Sequence, residues 1–313
     1  MATVNVADLR PVKETELHAL KERLARHLPH SLPVSNTDSL TPQQVVYGCV
    51  SLAVRYGLHS LQPASILVPA APRPSSLTII VPTGGPQCIE VFWSTEEHTP
   101  QEMAHYLSCI PHLDWSQPVY ILSLLSALLP SLQSQASIGG QQVQVQTTFQ
   151  GNLYSLQVPA TLGKELLPKY QVTSLREEDA LQVWTNWEFN DLDSVDNMSN
   201  DITRFPSVGI REHNPEDGVS LLEKKTEKTL VSWVHLSKPG WIGNTFTMPQ
   251  HRRKGLAGVA TLTLACKVLQ EGLLPFVFIG NHNIASIKFH EALGFKRQCE
   301  AYTVKVVPAE ATD

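Results

Sequence analysis

A short run of basic residues that ends in glycine is the part of this sequence best suited to bind an anion. The run reads His251, Arg252, Arg253, Lys254, Gly255, Leu256, Ala257. It follows a strand-like segment, residues 242–248, and opens a helical pattern of apolar residues. The first turn of a helix leaves four N–H groups without intrahelical partners, and the helix dipole adds partial positive charge there. The run therefore predicts a loop that binds phosphate groups.

Two simpler interpretations of the same run stay open: a basic surface turn, or a helix start rich in cations for solubility. Gly255 lets the backbone pass close to an anion, and Ala257 keeps a small side chain where the helix begins. Cations at a helix N-terminus oppose the dipole, so the run is a poor choice for helix stability alone. A short glycine motif has low specificity by itself, so its position in the chain has to decide.

The segments after the run predict the elements that position it. A helical stripe continues to Gly272, residues 275–279 form an apolar strand, and a second helix over residues 284–293 ends before Gly294. Between the strand and the second helix lies a polar corner that contains Asn281. The order strand, loop, helix, strand, helix predicts a right-handed crossover with ligand space at the strand ends.

At this point the sequence resembles the GNAT acyltransferase superfamily, in which an acyl-CoA loop is followed by a helix with a characteristic pattern. The loop pattern is matched by Arg252, Gly255 and Ala257, and the helix pattern by Asn283, Ser286, Gly294 and Phe295. His290 stands where that family usually has tyrosine. A closer resemblance is to glycine N-acyltransferase-like proteins, specific from about residue 150 to 297 and looser before. It rests on residues 113–116, 151–156, 163–168, 207–210, 230–234 and 247–253.

The resemblance implies an α/β (α+β) fold in two domains. Residues 168–313 would form a catalytic GNAT domain with a mixed central sheet flanked by helices, and residues 1–160 a degenerate GNAT-like domain. It also implies an acyl-CoA-dependent N-acyltransferase that moves an acyl group to the amine of glycine, or of another small amino acid or amine, by direct attack on the thioester. Acyl-CoA or acetyl-CoA is then a co-substrate, and we expect no permanently bound cofactor and no metal.

The same resemblance implies particular site residues. Backbone groups of Phe246, Thr247 and Met248 would hold the pantetheine arm, on a strand that splays from its parallel neighbour. The pyrophosphate would lie on residues 252–257, and the remaining CoA contacts would come from Asn281, Asn283 and Ser286. His290 would be the general acid that protonates the CoA thiolate, since an imidazole can donate one proton near neutral pH. The alternative for His290 is a helix histidine whose hydrogen bonds are satisfied within the protein and that packs beside Phe289.

The general base is less clear from the sequence. Trp241 stands where glycine acyltransferases have a glutamate, and an indole cannot accept a proton. Either the amine loses its proton through water, or His235 on the previous strand acts as the base, or the activity differs. Two other functions stay open: a GNAT N-acetyltransferase for a protein or polyamine, and a non-catalytic acyl-CoA binder.

Composition narrows the class of protein. The length of 313 residues fits two domains, and a hydrophobic content of 42% suffices for ordinary cores. A net charge of −5 argues against a general nucleic-acid binder, and no run of eighteen apolar residues predicts a membrane span. Five scattered cysteines and the lack of a clear targeting signal favour an intracellular protein, cytoplasmic or mitochondrial. We expect a monomer that binds acyl-CoA and a small amine.

Secondary-structure patterns complete the prediction. In the first half, residues 119–132 predict one apolar helix, and residues 141–148 with 153–158 predict a hairpin-like pair of strands. In the second half, residues 195–204 predict a helix, and residues 206–212 and 229–236 predict antiparallel strands.

Overall fold

The computed structural model describes residues 9–27, 44–70, 75–81, 87–157, 166–213 and 228–309. The chain forms two compact units that are both discontinuous in sequence. The first comprises Met1–Leu153, Ile279–His282 and Arg297–Asp313, and the second comprises Tyr154–Phe278 and Asn283–Lys296. The units therefore do not follow the continuous ranges 1–160 and 168–313, because the end of the chain belongs to the first unit.

The first unit begins with helices and strands of mixed order. Its elements are β1 (Leu9–Pro11), α1 (Leu17–Ala25), α2 (Gln44–Tyr56), β2 (Ser65–Pro69), β3 (Thr78–Val81), β4 (Cys88–Phe92), α3 (Pro100–Ser108), β5 (Val119–Leu125), α4 (Leu129–Gln133), β6 (Ser137–Ile138) and β7 (Gln141–Ser155). β4 and β5 are parallel, whereas β1, β2 and β3 continue the sheet as antiparallel strands. The sheet buries an aliphatic core that includes Ile79, Ile89 and Ile121.

The second unit contains the predicted loop and the helix that follows it. Its elements are β8 (Tyr170–Thr173), α5 (Ala180–Thr185), α6 (Val195–Arg204), β9 (Ser207–Glu212), β10 (Thr229–Leu236), β11 (Ile242–Thr247), α7 (Leu256–Gln270) and α8 (Ile284–Ala292), together with the first three residues of β12 (Phe276–Gly280). The predicted crossover is not formed within one sheet, because β11 and β12 belong to different sheets. The final strand, β13 (Lys296–Pro308), pairs antiparallel with β5. The order of the large sheet is β1-β2-β3-β4-β5-β13-β7-β12, and β6 pairs with β7.

A separate sheet of four antiparallel strands, in the order β11-β10-β9-β8, forms the centre of the second unit. One face of this sheet packs on α5 and α6 through a buried cluster around Val183, Met198 and Trp233. The helix α6 and the strands β9 and β10 confirm the predictions for residues 195–204, 206–212 and 229–236. The predicted mixed α/β class with helices around a central sheet is also confirmed.

Two predictions for the first half are wrong. Residues 119–132 form the strand β5 followed by the short helix α4, not one helix. β5 pairs with β4 on one side and β13 on the other, and a strand whose two faces are covered has a nearly continuous apolar sequence. A continuous apolar run of this length cannot be told from a buried helix by its period.

Residues 141–155 form one long strand, β7, instead of a hairpin-like pair. The Gly151-Asn152 dipeptide resembles a turn, but Asn152 is held in the strand by its side chain. Its amide donates to Asn281 Oδ1, and its Oδ1 accepts from Arg297 Nε. These hydrogen bonds join residues more than a hundred positions apart in the sequence, so no local sequence pattern predicts them.

Among the described residues, no helix has both the length and the apolar character needed to cross a membrane. The five cysteines form no disulfide. The described parts of the chain also contain no group of three or more His, Cys, Asp or Glu side chains arranged for a metal ion.

Candidate acyl-CoA site

The loop between β11 and α7 has the backbone geometry of an anion-binding site. After β11, a short 3-10 turn at Pro249–His251 leads into the loop, and Gly255 is the N-cap of α7. Gly255 has φ 83° and Arg253 has φ 64°, so two left-handed residues flank Lys254. Alternation of left- and right-handed residues turns successive N–H groups toward one concave side, where anions bind. The glycine is required here because other residues rarely adopt this conformation.

Several N–H groups of this loop have no backbone acceptor and can donate to a bound anion. Within the described residues, the N–H groups of Arg253, Lys254 and Gly255 donate to no backbone carbonyl. The bonds resume on either side, from Arg252 N to Pro249 O at 3.3 Å and from Val259 N to Gly255 O at 3.2 Å. The first-turn N–H groups of α7 have no intrahelical partner. The loop therefore offers consecutive unpaired donors at the positive end of a 15-residue helix.

His251 and Lys254 of the basic run are both hydrogen-bonded to Tyr170. His251 Nδ1 lies 3.0 Å from Tyr170 Oη, and its Nε2 lies 3.7 Å from the Glu212 carboxylate. Lys254 Nζ donates to Gln250 O at 2.9 Å and to Tyr170 Oη at 3.3 Å. Burial lowers the pKa of His251. His251 and Lys254 therefore connect the loop to Tyr170 of β8, a contact that the sequence did not indicate.

The two arginines of the run differ in their contacts. Arg252 Nε donates to Thr247 O at 3.1 Å, and its guanidinium lies 5.7 Å from the centroid of the Phe246 ring. Arg253 is exposed beside Gly255. Of the basic run, Arg253 is the cation that is free to turn toward a bound phosphate, and Arg252 braces the loop against the end of β11.

The strand β11 presents one open edge. It is the edge strand of the four-stranded sheet, and β12 is not a member of that sheet. Met248 N donates to Val231 O at 2.9 Å, so Met248 and Phe246 face β10, whereas Thr247 faces the open edge, because backbone groups alternate along a strand. The Thr247 carbonyl already accepts from Arg252. Of the three predicted pantetheine contacts, only the Thr247 N–H points to the open edge.

A β-bulge lies in the middle of β11. The register against β10 shifts between Trp233 and His235, and Asn244 has φ 52°. Asn244 Nδ2 donates to Val183 O at 3.3 Å, which fixes the bulge to α5. Asparagine tolerates the left-handed region, so the Gly243-Asn244 dipeptide was the available signal for this feature. A bulge breaks the ladder and leaves backbone groups unpaired at this point of the strand.

Two of the residues predicted to contact CoA after β12, Asn281 and Asn283, form hydrogen bonds within the protein. Asn283 caps α8, since its Oδ1 accepts from Ser286 N at 3.0 Å. Asn281 lies in the first unit, where its N–H donates to Gln150 O at 3.0 Å and its Oδ1 accepts from Asn152. The side chains of Asn281 and Asn283 are therefore engaged within the protein, and CoA contacts through them remain predictions.

His290 is buried, and its ring is hydrogen-bonded within α8, so its role as general acid stays a prediction. It is 5% exposed, and its Nδ1 lies 2.9 Å from Ser286 O and 3.2 Å from Ser286 Oγ. A carbonyl only accepts, so the neutral ring holds its proton on Nδ1, and Nε2 carries a lone pair. Nε2 is buried without a hydrogen-bond partner. Burial lowers the pKa of His290, which disfavours the imidazolium form that could donate from Nε2.

His235 is also buried, and its role as the base stays a prediction. It is 3% exposed, and its Nδ1 lies 3.3 Å from Leu236 O. Burial lowers its pKa to about 4. A group with such a pKa accepts a proton weakly at neutral pH, and a buried ring has no route to a substrate amine.

Trp241 lies at the entrance of β11 and covers Gly243. A Cβ on residue 243 would stand 3.1 Å and 3.2 Å from the indole Cδ1 and Nε1, so glycine makes room for the ring. The indole centroid is 6.3 Å from that of Phe278, with the rings tilted by 35°. Both rings are half-buried and belong to the second unit. Phe278 was not singled out from the sequence, because it reads there as one more apolar residue of β12.

Comparison with known proteins identifies the fold. The FR47-like protein family matches residues 219–304. No curated protein sequence matches the chain significantly. A Drosophila protein of known structure is 15% identical, with 97% of this chain and 100% of that chain covered and a TM-score of 0.69.

Two similar structures carry GNAT descriptions. One is a tandem GNAT protein from the clavulanic acid biosynthesis pathway, 14% identical, with 98% and 99% of the chains covered and a TM-score of 0.52. The other is a GCN5-related N-acetyltransferase from Sphaerobacter thermophilus, 10% identical, with 95% and 94% covered and a TM-score of 0.50. The chain therefore has the fold of tandem GNAT proteins, and its FR47-like region contains β11, the loop and α7.

Proposed function

We propose that this chain is an acyl-CoA-dependent N-acyltransferase that moves an acyl group to the amine of glycine, or of another small amino acid or amine. The loop at Arg253–Gly255 supports this proposal most directly. Three consecutive N–H groups without a backbone acceptor, the start of α7 and the exposed Arg253 all lie in this one loop. A pyrophosphate satisfies several donors at once, which a single carboxylate does not.

The donor substrate would run from this loop along β11. With the pyrophosphate on residues 252–257, an extended pantetheine arm follows the open edge past the Thr247 N–H. The seven residues from Trp241 to Thr247 span roughly 20 Å, so the thioester of an extended arm would lie near the bulge at Asn244. Unpaired backbone donors at a bulge can polarise a carbonyl oxygen and stabilise the negative charge that develops there.

The reaction itself needs no covalent enzyme intermediate. The amine nitrogen attacks the thioester carbon, the carbon–sulfur bond breaks, and the amine proton passes to solvent while the thiolate takes one up. Positioning of two substrates supplies several kcal/mol of the barrier on its own. In this scheme His290 contributes no proton, because its Nδ1–H group donates a hydrogen bond to Ser286 O.

A second candidate is a non-catalytic acyl-CoA binder. The observation that favours it is Trp241 at the position where the resemblance implies a base, together with the buried, weakly basic His235. Both candidates require the same loop, so binding of CoA does not distinguish them. Turnover of acyl-CoA distinguishes them, because only the enzyme releases thiol.

The test is release of free thiol from acetyl-CoA and longer acyl-CoAs, with glycine, other amino acids, simple amines and peptide amines as acceptors. Thiol release that depends on a small amine, with the acylated amine detected by mass spectrometry, is the expected result. Release with peptide amines alone would indicate a protein acetyltransferase. Tight CoA binding without thiol release for any acceptor would indicate that the protein is a non-catalytic acyl-CoA binder.

A matched pair of glycine variants links turnover to the loop. Gly255→Glu places a carboxylate against the pyrophosphate, whereas Gly272→Glu places one after the other end of α7. Both glycines are left-handed, at φ 83° and 73°, so each substitution carries a similar backbone cost of roughly 1–2 kcal/mol. An added Cβ at Gly272 meets nothing within 4 Å. Only Gly255→Glu should abolish CoA binding and turnover.

A further inference from the structure

We propose that the first unit contains a second reactive site, in which Ser75 attacks carboxylic esters with His98 as its base and Arg23 beside the developing oxyanion. All three residues belong to the first unit, whereas the loop at Arg253–Gly255 belongs to the second, so this inference is independent of the proposed N-acyltransferase function. It follows from the contacts of the Ser75 hydroxyl, which are those of a nucleophile paired with a base.

Three separate segments bring these side chains together. Arg23 lies on α1, Ser75 lies shortly before β3, and His98 lies between β4 and α3. β3 and β4 are antiparallel, with Thr78 opposite Phe92, so the chain before β3 runs beside the chain after β4. Ser75 is 23 positions from His98 and 52 positions from Arg23 in the sequence, so no local motif marks the site.

The Ser75 hydroxyl is bonded to an imidazole. Ser75 Oγ lies 2.6 Å from His98 Nε2, a distance typical of a nucleophile and its base. Oγ also accepts from Leu77 N at 2.9 Å. Among the described residues, His98 Nε2 is the acceptor for the hydroxyl hydrogen, which assigns the ring proton to Nδ1. The Leu77 N–H then stabilises the alkoxide character that Oγ gains as His98 takes its proton.

The surroundings of His98 suit a base. Partial burial lowers the pKa of His98, so the ring is neutral at neutral pH and can accept a proton. The carboxylates of Glu102 and Glu97 act in the opposite direction, because they favour the imidazolium ion. Tyr106 packs edge-on against the ring with centroids 5.7 Å apart, which restricts its rotation. His98 is therefore unprotonated at Nε2 before the reaction and stabilised electrostatically once it gains a proton.

Arg23 lies where negative charge develops during attack. Its Nε donates to the Ser75 carbonyl at 3.2 Å, so the guanidinium is held next to the residue that attacks. Nη1 and Nη2 form no hydrogen bond with the described residues, and they can donate to a substrate oxygen. A guanidinium keeps its charge in proteins and presents its donors in a fixed plane, which suits the oxyanion of a tetrahedral intermediate.

The reaction is balanced with water as the second reactant. Ser75 Oγ bonds to the ester carbon as its proton passes to His98 Nε2, and the carbonyl oxygen takes the negative charge beside Arg23. The bond to the leaving alcohol then breaks, and the alcohol takes the proton from Nε2. Water attacks the acyl-serine, and its proton passes through His98 to Ser75 Oγ. The products are a carboxylic acid and an alcohol.

An ester suits this arrangement better than an amide. His98 Nδ1 forms no hydrogen bond with the described residues, whereas in a complete catalytic triad a carboxylate accepts from that nitrogen. The pair therefore lacks part of the support that cleavage of an amide needs, and an alcohol is the easier leaving group. Ser75 and His98 are both half-buried, which fits a site that a small ester reaches from solvent.

Treatment of the full chain with diisopropyl fluorophosphate and with p-nitrophenyl acetate tests the proposal. We expect the fluorophosphate to label Ser75, located by mass spectrometry of peptides, and p-nitrophenyl acetate to release nitrophenolate through acetylated Ser75. Ser75→Ala should abolish both reactions. His98→Gln should slow them by about a hundredfold, because glutamine forms a hydrogen bond but accepts no proton. Arg23→Gln should slow ester cleavage by about a hundredfold through loss of the oxyanion donors.

Two matched controls lie on α3. Ser108 is exposed and its Oγ donates to His105 O at 2.6 Å, so Ser108→Ala removes a serine that has no imidazole acceptor. His105 lies 3.6 Å from a thiol, so His105→Gln removes a histidine that has no serine beside it. Both variants should react as the natural protein does, and urea denaturation checks that every variant is folded.

The natural protein alone can decide the matter. Labelling of Ser75 should require the folded state, so it should be lost in urea above the unfolding transition. No labelling of Ser75 in the folded protein, equal labelling in the unfolded chain, or an unchanged rate in folded His98→Gln would overturn the proposal.

Discussion

Glu90 makes the stability of this protein depend on pH in an unusual direction. It lies in β4 between Ile80 of β3 and Leu122 of β5, and it is 2% exposed. Its Oε2 has no hydrogen-bond partner. Burial without a compensating charge raises its pKa from 4.5 to about 8. The folded protein therefore holds Glu90 as the neutral acid at neutral pH.

The magnitude follows from the two pKa values. Between pH 4.5 and pH 8 the unfolded chain releases the Glu90 proton, whereas the folded protein keeps it, so the free energy of unfolding falls as pH rises. The contribution is complete below pH 4.5 and lost above pH 8. At about 1.4 kcal/mol for each pKa unit, the full difference is at most about 5 kcal/mol.

Glu90→Gln removes this titration and keeps the shape of the side chain. We expect urea denaturation to show the variant more stable than the natural protein at pH 8 by several kcal/mol, and nearly equal to it at pH 5. Other titrating groups are common to both proteins, so the difference between the two pH values isolates Glu90. Parallel pH dependence of the two proteins would refute the reasoning, since it would mean that Glu90 ionises normally in the folded state.

Three further substitutions test other parts of the structure. Tyr170→Phe removes the hydroxyl between His251 and Lys254, and it should lower the free energy of unfolding by about 1 kcal/mol and weaken CoA binding, as measured by urea denaturation and calorimetry. Asp201 is a buried carboxyl whose pKa is raised to about 7, so Asp201→Asn should flatten the decline in stability between pH 3.8 and 7; an unchanged slope would contradict this. His290→Phe should reduce kcat by less than tenfold in a thiol-release assay, because Nε2 has no proton to give; a loss of a hundredfold would restore the general acid.

The sequence predicted the local elements around Gly255 better than it predicted the large sheet, and the site residues themselves stay a prediction. The loop at Gly255, the helix α7 and the cap of α8 are local features, each marked by glycine, an apolar stripe or a capping asparagine within a few residues. The course of β5 and β7 depends on β13, which arrives more than 140 residues later. Local periodicity carries no information about such a partner.

The two candidate histidines show which properties of a side chain depend on the fold. His290 and His235 were candidates because imidazole titrates near neutral pH. The structure buries both rings, lowers the pKa of each and commits the Nδ1 proton of His290 to a backbone carbonyl. Protonation state depends on burial and on hydrogen-bond partners, which the sequence does not contain. The sequence showed that Trp241 replaces the glutamate of glycine acyltransferases. Its contact with Phe278 could be found only from the structure.

Calorimetric titration of the full chain with CoA and, separately, with pantetheine tests the central claim most directly. Pantetheine has the arm and the thiol of CoA and lacks the pyrophosphate. We predict that CoA binds, that pantetheine binds at least a hundredfold more weakly, and that Gly255→Glu loses CoA binding while Gly272→Glu retains it. Equal affinity for CoA and pantetheine, or normal CoA binding by Gly255→Glu, would contradict a pyrophosphate site at the start of α7.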